Sequence, residues 1–321
     1  MSQPTQRDVH VDRALTDLSV AYFQEAPPVS DRVFLRVPVP NKTDKYFVWD
    51  KADFWRDDAR KRAPGSDFAR IGIRVSTDNF SADQYALEHK IPDEDVANAD
   101  AAIALKETAT RNLTSRLNMR KDRAFATDFM TTSVWSTDKT GTTDFVKWND
   151  ATSDPATDVL AGVETILDAL GDMAETMRIV AVCGAIVGRR LRNHPDAIDR
   201  IKYTERATPA AVQSAMAAWL GLDELVVVRR RYTTSAEGAA TATYAGVFDD
   251  DMLLVAVPRA PGLNTPAAGY TFAWDEGGKG DMYVEDYRDE NVKSDIVRAV
   301  CHFDQKKVAA DLGYFFSDCV D

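Results

Sequence analysis

The chain has 321 residues, 45% of them hydrophobic, and a formal net charge of -12. That length supports one large domain or two to three smaller ones, and the acidic surplus argues against a protein that grips nucleic acid through many phosphate contacts. Mean hydropathy is -0.33, no apolar run reaches the ~18 residues of a membrane helix, and the three scattered cysteines, Cys183, Cys301 and Cys319, do not make a disulfide framework.

Residues 1–32 read as a polar arm broken at Pro27-Pro28. "VFLRVPVP" and "KYFVWD" follow as strands, because they are rich in β-branched and aromatic residues. In "FARIGIRVSTD", Ile71, Ile73 and Val75 alternate with Arg70, Gly72 and Arg74, which predicts another strand. The connection from about Lys51 to Asp67 is longer than an ordinary hairpin loop. It carries Phe54 and Trp55 beside the mixed charges Arg56, Asp57, Asp58, Arg60, Lys61 and Arg62. Large aromatics rimmed by charge are the composition of an interface, so these eight residues are the candidate self-association site.

Residues 91–130 contain no glycine and no proline after Pro92. One long helix is expected, with acids early and bases late as the helix dipole favours. Its apolar positions, Ile103, Leu113, Leu117, Phe125 and Phe129, are sparse, so it is expected to lie across a surface. Asp154 and Pro155 predict a helix start and Gly171 its stop. "MRIVAVCG" reads as a buried strand followed by a short helix, "TPAAVQSAMAAWLGL" as a helix, and "DELVVVRRRY", "DMLLVAVPR" and the C-terminal third as strands and turns. Strands and helices mix without regular alternation, so the class is α+β rather than a doubly wound sheet.

No chemical motif stands out. The four histidines are far apart, and Cys301-His302 with Cys319 lacks zinc spacing, reading instead as a buried cysteine beside a surface histidine. Asp249 to Asp251 reads as a solvated turn, and "GGKG" at Gly277 to Gly280 as a turn without phosphate-loop context. Cys183 reads as a small apolar residue rather than a nucleophile. Arg189 to Asn193 and Arg229 to Arg231 are basic and read as solvated edges or intersubunit pairs. No catalytic residue, metal ligand or cofactor is expected.

The order of elements and the words "ALTDLSVAYFQ", "DKYFVWDKADFWRDDARKRAPGS", "IPDEDVANAD" and "GRRLRNHPDAIDRIKYT" resemble the major capsid proteins of tailed bacteriophages, with the Hong Kong 97-type shell fold. The resemblance covers essentially the whole chain. It implies an N-terminal arm over 1–32, an extended loop over 33–92, a peripheral domain with a spine helix over 93–171, an axial domain over 172–290 and a return to the peripheral domain over 291–321. It also implies hexamers and pentamers in an icosahedral shell around double-stranded DNA, built in the host cytoplasm, touched by a few inward arginines, and made without catalysis or a membrane. Only a short arm precedes the first strand, so a separate scaffolding protein is expected, with a portal and a decoration protein as further partners. Lys45, Lys51 and Lys61 lie where some relatives crosslink, but no crosslink is predicted. The alternatives are an encapsulin-like compartment shell and a cytosolic enzyme with a long lid loop.

Overall fold

In a computed structural model, residues 24, 26–98, 105–201, 209–260, 262 and 265–321 are described. Most of the expected arm lies outside them. The described elements begin with α1 (Ser30–Val33), β1 (Leu35–Val39), β2 (Thr43–Trp49), α2 (Lys51–Phe54), β3 (Val75–Ser81) and β4 (Asp83–Pro92). Next come α3 (Asp93–Asn98), α4 (Leu105–Phe129), β5 (Thr137–Thr140) and α5 (Pro155–Leu170), then a 3-10 turn over Gly171–Thr176. They continue with β6 (Met177–Gly184), α6 (Ala185–Arg192), α7 (Pro195–Ile201), α8 (Pro209–Trp219), β7 (Glu224–Val228), β8 (Arg231–Thr233) and β9 (Tyr244–Gly246). The chain closes with β10 (Met252–Pro258), β11 (Gly269–Trp274), β12 (Met282–Asp289), β13 (Ser294–Lys307), a 3-10 turn and β14 (Gly313–Ser317). No described helix is long and apolar enough to cross a membrane.

Two five-stranded sheets organise the chain. In the first, β13 is long enough to hold three neighbours: its first half lies between β12 and β4, and its second half pairs with β11, which carries β1 in parallel. The second sheet runs β5-β14-β10-β6-β7. Its central strand β10, "MLLVAVP", is buried at every position, as a run apolar on both faces demands. Helix α5 covers it with Val159, Val163, Ile166 and Leu170. Gly162 lets the helix close on the sheet, since a Cβ there would lie 2.8 Å from a methyl of Leu254. The start signals read from the sequence are realised: the Asp154 carboxylate accepts the Thr157 N–H at 3.2 Å, and Pro155 opens the helix.

Sheet membership departs from the expected division of the chain. β11 and β12, expected in the axial part, pair in the first sheet beside the long helix, whereas α5 and β14, expected with that helix, pack in the second sheet. The reason is β13, whose length captures both preceding strands by antiparallel pairing. Such non-local ladders leave no mark in local composition.

The long helix α4 spans 25 described residues, and residues 99–104, with Ile103, lie outside the described set. It joins the two cores. Leu113 and Leu117 pack with Val297, Ala299 and Phe303 of the first sheet, while Phe125 and Phe129 enter the larger core. There Phe34 meets Phe125, Phe129 and Trp135 edge-on, with centroids 5.0, 4.8 and 6.4 Å away. The surface position expected for this helix holds for one face only. Lys121 and Asp122 are buried, and they tolerate burial because they are paired.

That pairing forms a polar junction between the two halves. Asp122 accepts the Ser30 N–H at 3.1 Å and a guanidinium N–H of Arg230. Arg230 also donates to the carbonyls of Asn118, at 3.0 Å, and Ala26. Lys121 lies 2.7 Å from the Asp31 carboxylate. Burial pushes the Asp122 carboxyl above its usual range, opposed by the Ser30 N–H and Arg230. Arg230 is therefore not the solvated edge residue expected: it ties the loop after β7 to α4 and to the chain entering α1.

Candidate functional site: the extended loop

Strands β2 and β3 form a two-stranded hairpin with Trp49 opposite Val75. Its root is seated on the first sheet by Phe80 stacked on Phe272 at 4.4 Å, with Tyr46 5.3 Å from the same ring. The Tyr46 hydroxyl donates to Asp78 at 2.9 Å, and burial, then that carboxylate, pushes its pKa up. At the far end the chain leaves regular pairing from Asp50 to Arg74.

A charged clamp closes the neck of this excursion. Arg74 donates from its backbone N–H (2.9 Å) and from Nε (3.1 Å) to one oxygen of Asp53, and from Nη2 to the other (3.0 Å). The same Nη2 reaches Asp50 at 2.8 Å. Asp50 also caps α2 through the Ala52 N–H at 3.0 Å. Arg74's hydrogen bonds hold the Asp53 carboxyl below the usual carboxylate range.

The neck also rests on the body. Lys51 donates to the Ala169 carbonyl in the last turn of α5, where a cation suits the helix dipole, and lies 3.0 Å from Asp311. Its ammonium sits 4.2 Å from the Trp55 ring centroid. Gly171, at φ 56°, leaves room for that ring: a Cβ there would come within 3.3 Å of it.

The eight candidate residues lie together on this neck and the loop beyond it. Phe54 packs edge-on to Trp49 at 5.9 Å yet stays 55% exposed, and Trp55 stays 49% exposed despite its contact with Gly171. Arg56 is 3.8 Å from Asp53. Asp58 is half-buried, while Asp57, Arg60, Lys61 and Arg62 are exposed. Arg62 lies over the Phe68 ring at 4.1 Å and donates to the Ser66 carbonyl at 2.6 Å, around a turn that Gly65 makes at φ 86°.

The strand expected from Phe68 starts only at Val75. Residues 68–74 find no partner strand on the described chain, because β2 is already used up at Trp49. Ile71, Ile73 and Val75, the face read from the alternation, point to no core; Ile71 is 72% exposed. Phe47, Trp49 and Phe68 on the same hairpin and excursion are exposed too, and none of these apolar residues is among the eight candidates. The signal of Ile71, Ile73 and Val75 was in the sequence, as a strand face with nothing to cover it. Burying each of these large apolar side chains would contribute about 1.5–3 kcal/mol, which makes them candidates for a contact surface.

The other motifs resolve as structure. Cys183 is buried in β6, and burial pushes its thiol up to about 12. Cys301 and Cys319 are buried too. His302 is not the surface histidine expected: it is enclosed, edge-on to Trp274 at 4.9 Å and 3.7 Å from Glu276. Asp249 is exposed, but Asp250 and Asp251 are half-buried. Asp251 accepts the Asp318 N–H at 3.0 Å, and burial pushes it up to about 6, aided by the neighbouring aspartates. Gly277, Gly278 and Gly280 make the expected turn with φ of 66°, 86° and 83°. Among the described residues no cluster of histidine, cysteine and carboxylate has the arrangement of a metal site.

No family model matches the chain, and no curated protein does. Solved structures do. A crystal structure of a phage-related protein from Bordetella bronchiseptica aligns over 91% of this chain and 92% of its own, with 23% identity and a TM-score of 0.67. The capsid of cyanophage P-SCSP1u aligns over 94% of this chain and 90% of its own, at 13% identity and TM-score 0.60. The capsid of Ralstonia phage GP4 aligns over 98% and 97%, at 12% identity and TM-score 0.59. The chain has the phage capsid fold. This is the Hong Kong 97-type shell fold, α+β as expected, and the match runs nearly end to end in both directions. The β2–β3 hairpin with its 50–74 excursion lies inside the span 33–92 expected as an extended loop, and α4 inside the span 93–171 expected to carry a spine helix.

Proposed function

We propose that the chain is the major capsid protein of a tailed phage, a structural shell subunit without catalysis. It assembles into hexamers and pentamers that tile an icosahedral head around double-stranded DNA. The observation that carries this reading is the extended loop: an apolar strip from Phe47 to Val75, rimmed by Arg56 to Arg62, lies uncovered on a chain with the capsid fold. A neighbouring copy supplies the missing cover. The apolar strip gives the contact its free energy, and the mixed-sign rim gives it register. The first sheet with α4 makes the peripheral part, and the second sheet with α5, α6 and α8 the axial part. A separate scaffolding protein and a portal complete the head, which forms in the host cytoplasm. The DNA contact is weak and nonspecific.

Sedimentation velocity tests the reading on the full chain and on a variant carrying Arg60→Glu, Lys61→Glu and Arg62→Glu. The wild type sediments as rings or shells. The variant shifts towards single chains while its melting temperature holds, because these side chains support no core. Identical sedimentation of the two proteins contradicts the role given to the loop.

A further inference from the structure

Three arginines share one exposed face of α4. Arg116, Arg120 and Arg123 stand at i, i+4 and i+7, so they fall within about 60° of one another around the helix. None has a carboxylate partner among the described residues, although the chain carries 51 acidic residues. Other surface cations, among them Arg74, Arg288, Arg298 and Lys106, do hold carboxylates. Here the partners are neutral. Arg116 donates to the Asn112 amide oxygen at 3.1 Å. Arg120 lies 5.2 Å from the Tyr85 ring centroid, and Arg123 lies 4.0 Å from that of Tyr232.

A guanidinium stacked on a ring is held in place, and its in-plane N–H donors stay free for an oxyanion. From Arg116 to Arg123 the helix rises about 10 Å. One strand of duplex DNA carries a phosphate per ~3.4 Å of axis, so about three phosphates pass the same span. We propose that this face of the spine helix is where the shell touches nucleic acid, through the phosphate backbone and without reading bases. The proposal rests on the capsid reading for its biological setting but not for its chemistry. It refines the expectation drawn from net charge: the bulk acidity limits the contact to a short stripe, which is what weak, nonspecific binding requires.

The test uses the unassembled full chain and a labelled mixed-sequence duplex of about 24 base pairs, with anisotropy read from about 50 to 200 mM salt. Three phosphate contacts predict a slope of log K against log salt near -2.7, a loss of about 40-fold over that range. The variant Arg116→Gln, Arg120→Gln, Arg123→Gln should abolish most of that slope. The matching lysine variant should retain it, since a phosphate contact of this kind asks mainly for charge. A third protein with Arg60, Lys61 and Arg62 changed to Gln removes equal charge elsewhere and should bind DNA as the wild type does. Circular dichroism melts confirm that each variant folds. The inference is overturned by no duplex binding at the lowest salt. Equal binding by the wild type and the glutamine variant overturns it too, as does equal loss when the loop cations are removed. It is also overturned if the glutamine variant changes only self-assembly, which would assign the stripe to a second copy of the chain. Failure of the loop variant to alter assembly would instead count against the shell reading and leave this face unaffected.

Discussion

The buried junction at Arg230 makes the sharpest statement about stability. Arg230→Met keeps the side chain's bulk and removes the guanidinium. Asp122 then keeps the Ser30 N–H but loses its cation, and the carbonyls of Asn118 and Ala26 lose a donor. Leaving a buried carboxylate without its cation costs about 3–5 kcal/mol. Against a typical total of about 5–15 kcal/mol, that is a large share. Asp122→Asn added to this variant keeps an acceptor for Ser30 and removes the charge, so it should restore about 2 kcal/mol. The assay is urea unfolding of the unassembled chain, followed by tryptophan fluorescence, with all four corners of the cycle. Burial already raises the folded-state pKa of Asp122 above its unfolded value. A raised carboxyl favours folding below its unfolded pKa and loses that contribution as pH rises through the folded one. The defect of Arg230→Met should therefore shrink as pH falls. A cost under about 1 kcal/mol, or additive single changes, would refute the claim that one paired charge joins the two halves.

Other positions give independent checks. Asp251 titrates near 6 in the folded chain against an ordinary 3.8, so its favourable contribution is complete below 3.8 and gone above 6. Asp251→Asn should thus stabilise the chain above that window by up to about 2–3 kcal/mol, and the gain should vanish towards its acid end, as read from melting temperature against pH. Arg74→Ala opens the neck clamp without touching a core; limited proteolysis should nick residues 50–74 faster while the melting temperature stays put. Gly171→Ala forces a side chain into φ 56° and against Trp55; it should cost about 1–2 kcal/mol and red-shift tryptophan emission as the ring is displaced. Gly184→Ala drives a Cβ into the carbonyl oxygens of Phe248 and Asp249, which only backbone movement can relieve, so soluble expression should fall steeply.

Local chemistry was legible and non-local chemistry was not. The Asp154–Pro155 start, the Gly171 stop and the all-apolar β10 are written in consecutive residues, and each appears where the sequence puts it. The mix of aromatics and charge at Phe54 to Arg62 is equally local, and the structure leaves Phe54 and Trp55 about half exposed. Residues 68–74 show the limit: their alternation is that of a strand, but the partner that would pair with it is absent from this chain's own fold. Arg230 shows it again. Within "VVVRRRY" three arginines look alike, and only the fold buries the middle one against Asp122, 108 residues earlier. The place of β11 and β12 follows from the ladder on β13, and that of β14 from its pairing with β10 and β5, which no window of composition encodes.

The central claim is that this chain builds a shell through its extended loop. Negative-stain electron microscopy of the purified full chain, with light scattering on the same sample across salt and pH, tests it most directly. Closed shells, or rings of five or six subunits, are the predicted result. A monodisperse particle of 35.6 kDa under every condition, and again when the chain is co-expressed with the scaffolding protein of its phage, would contradict it.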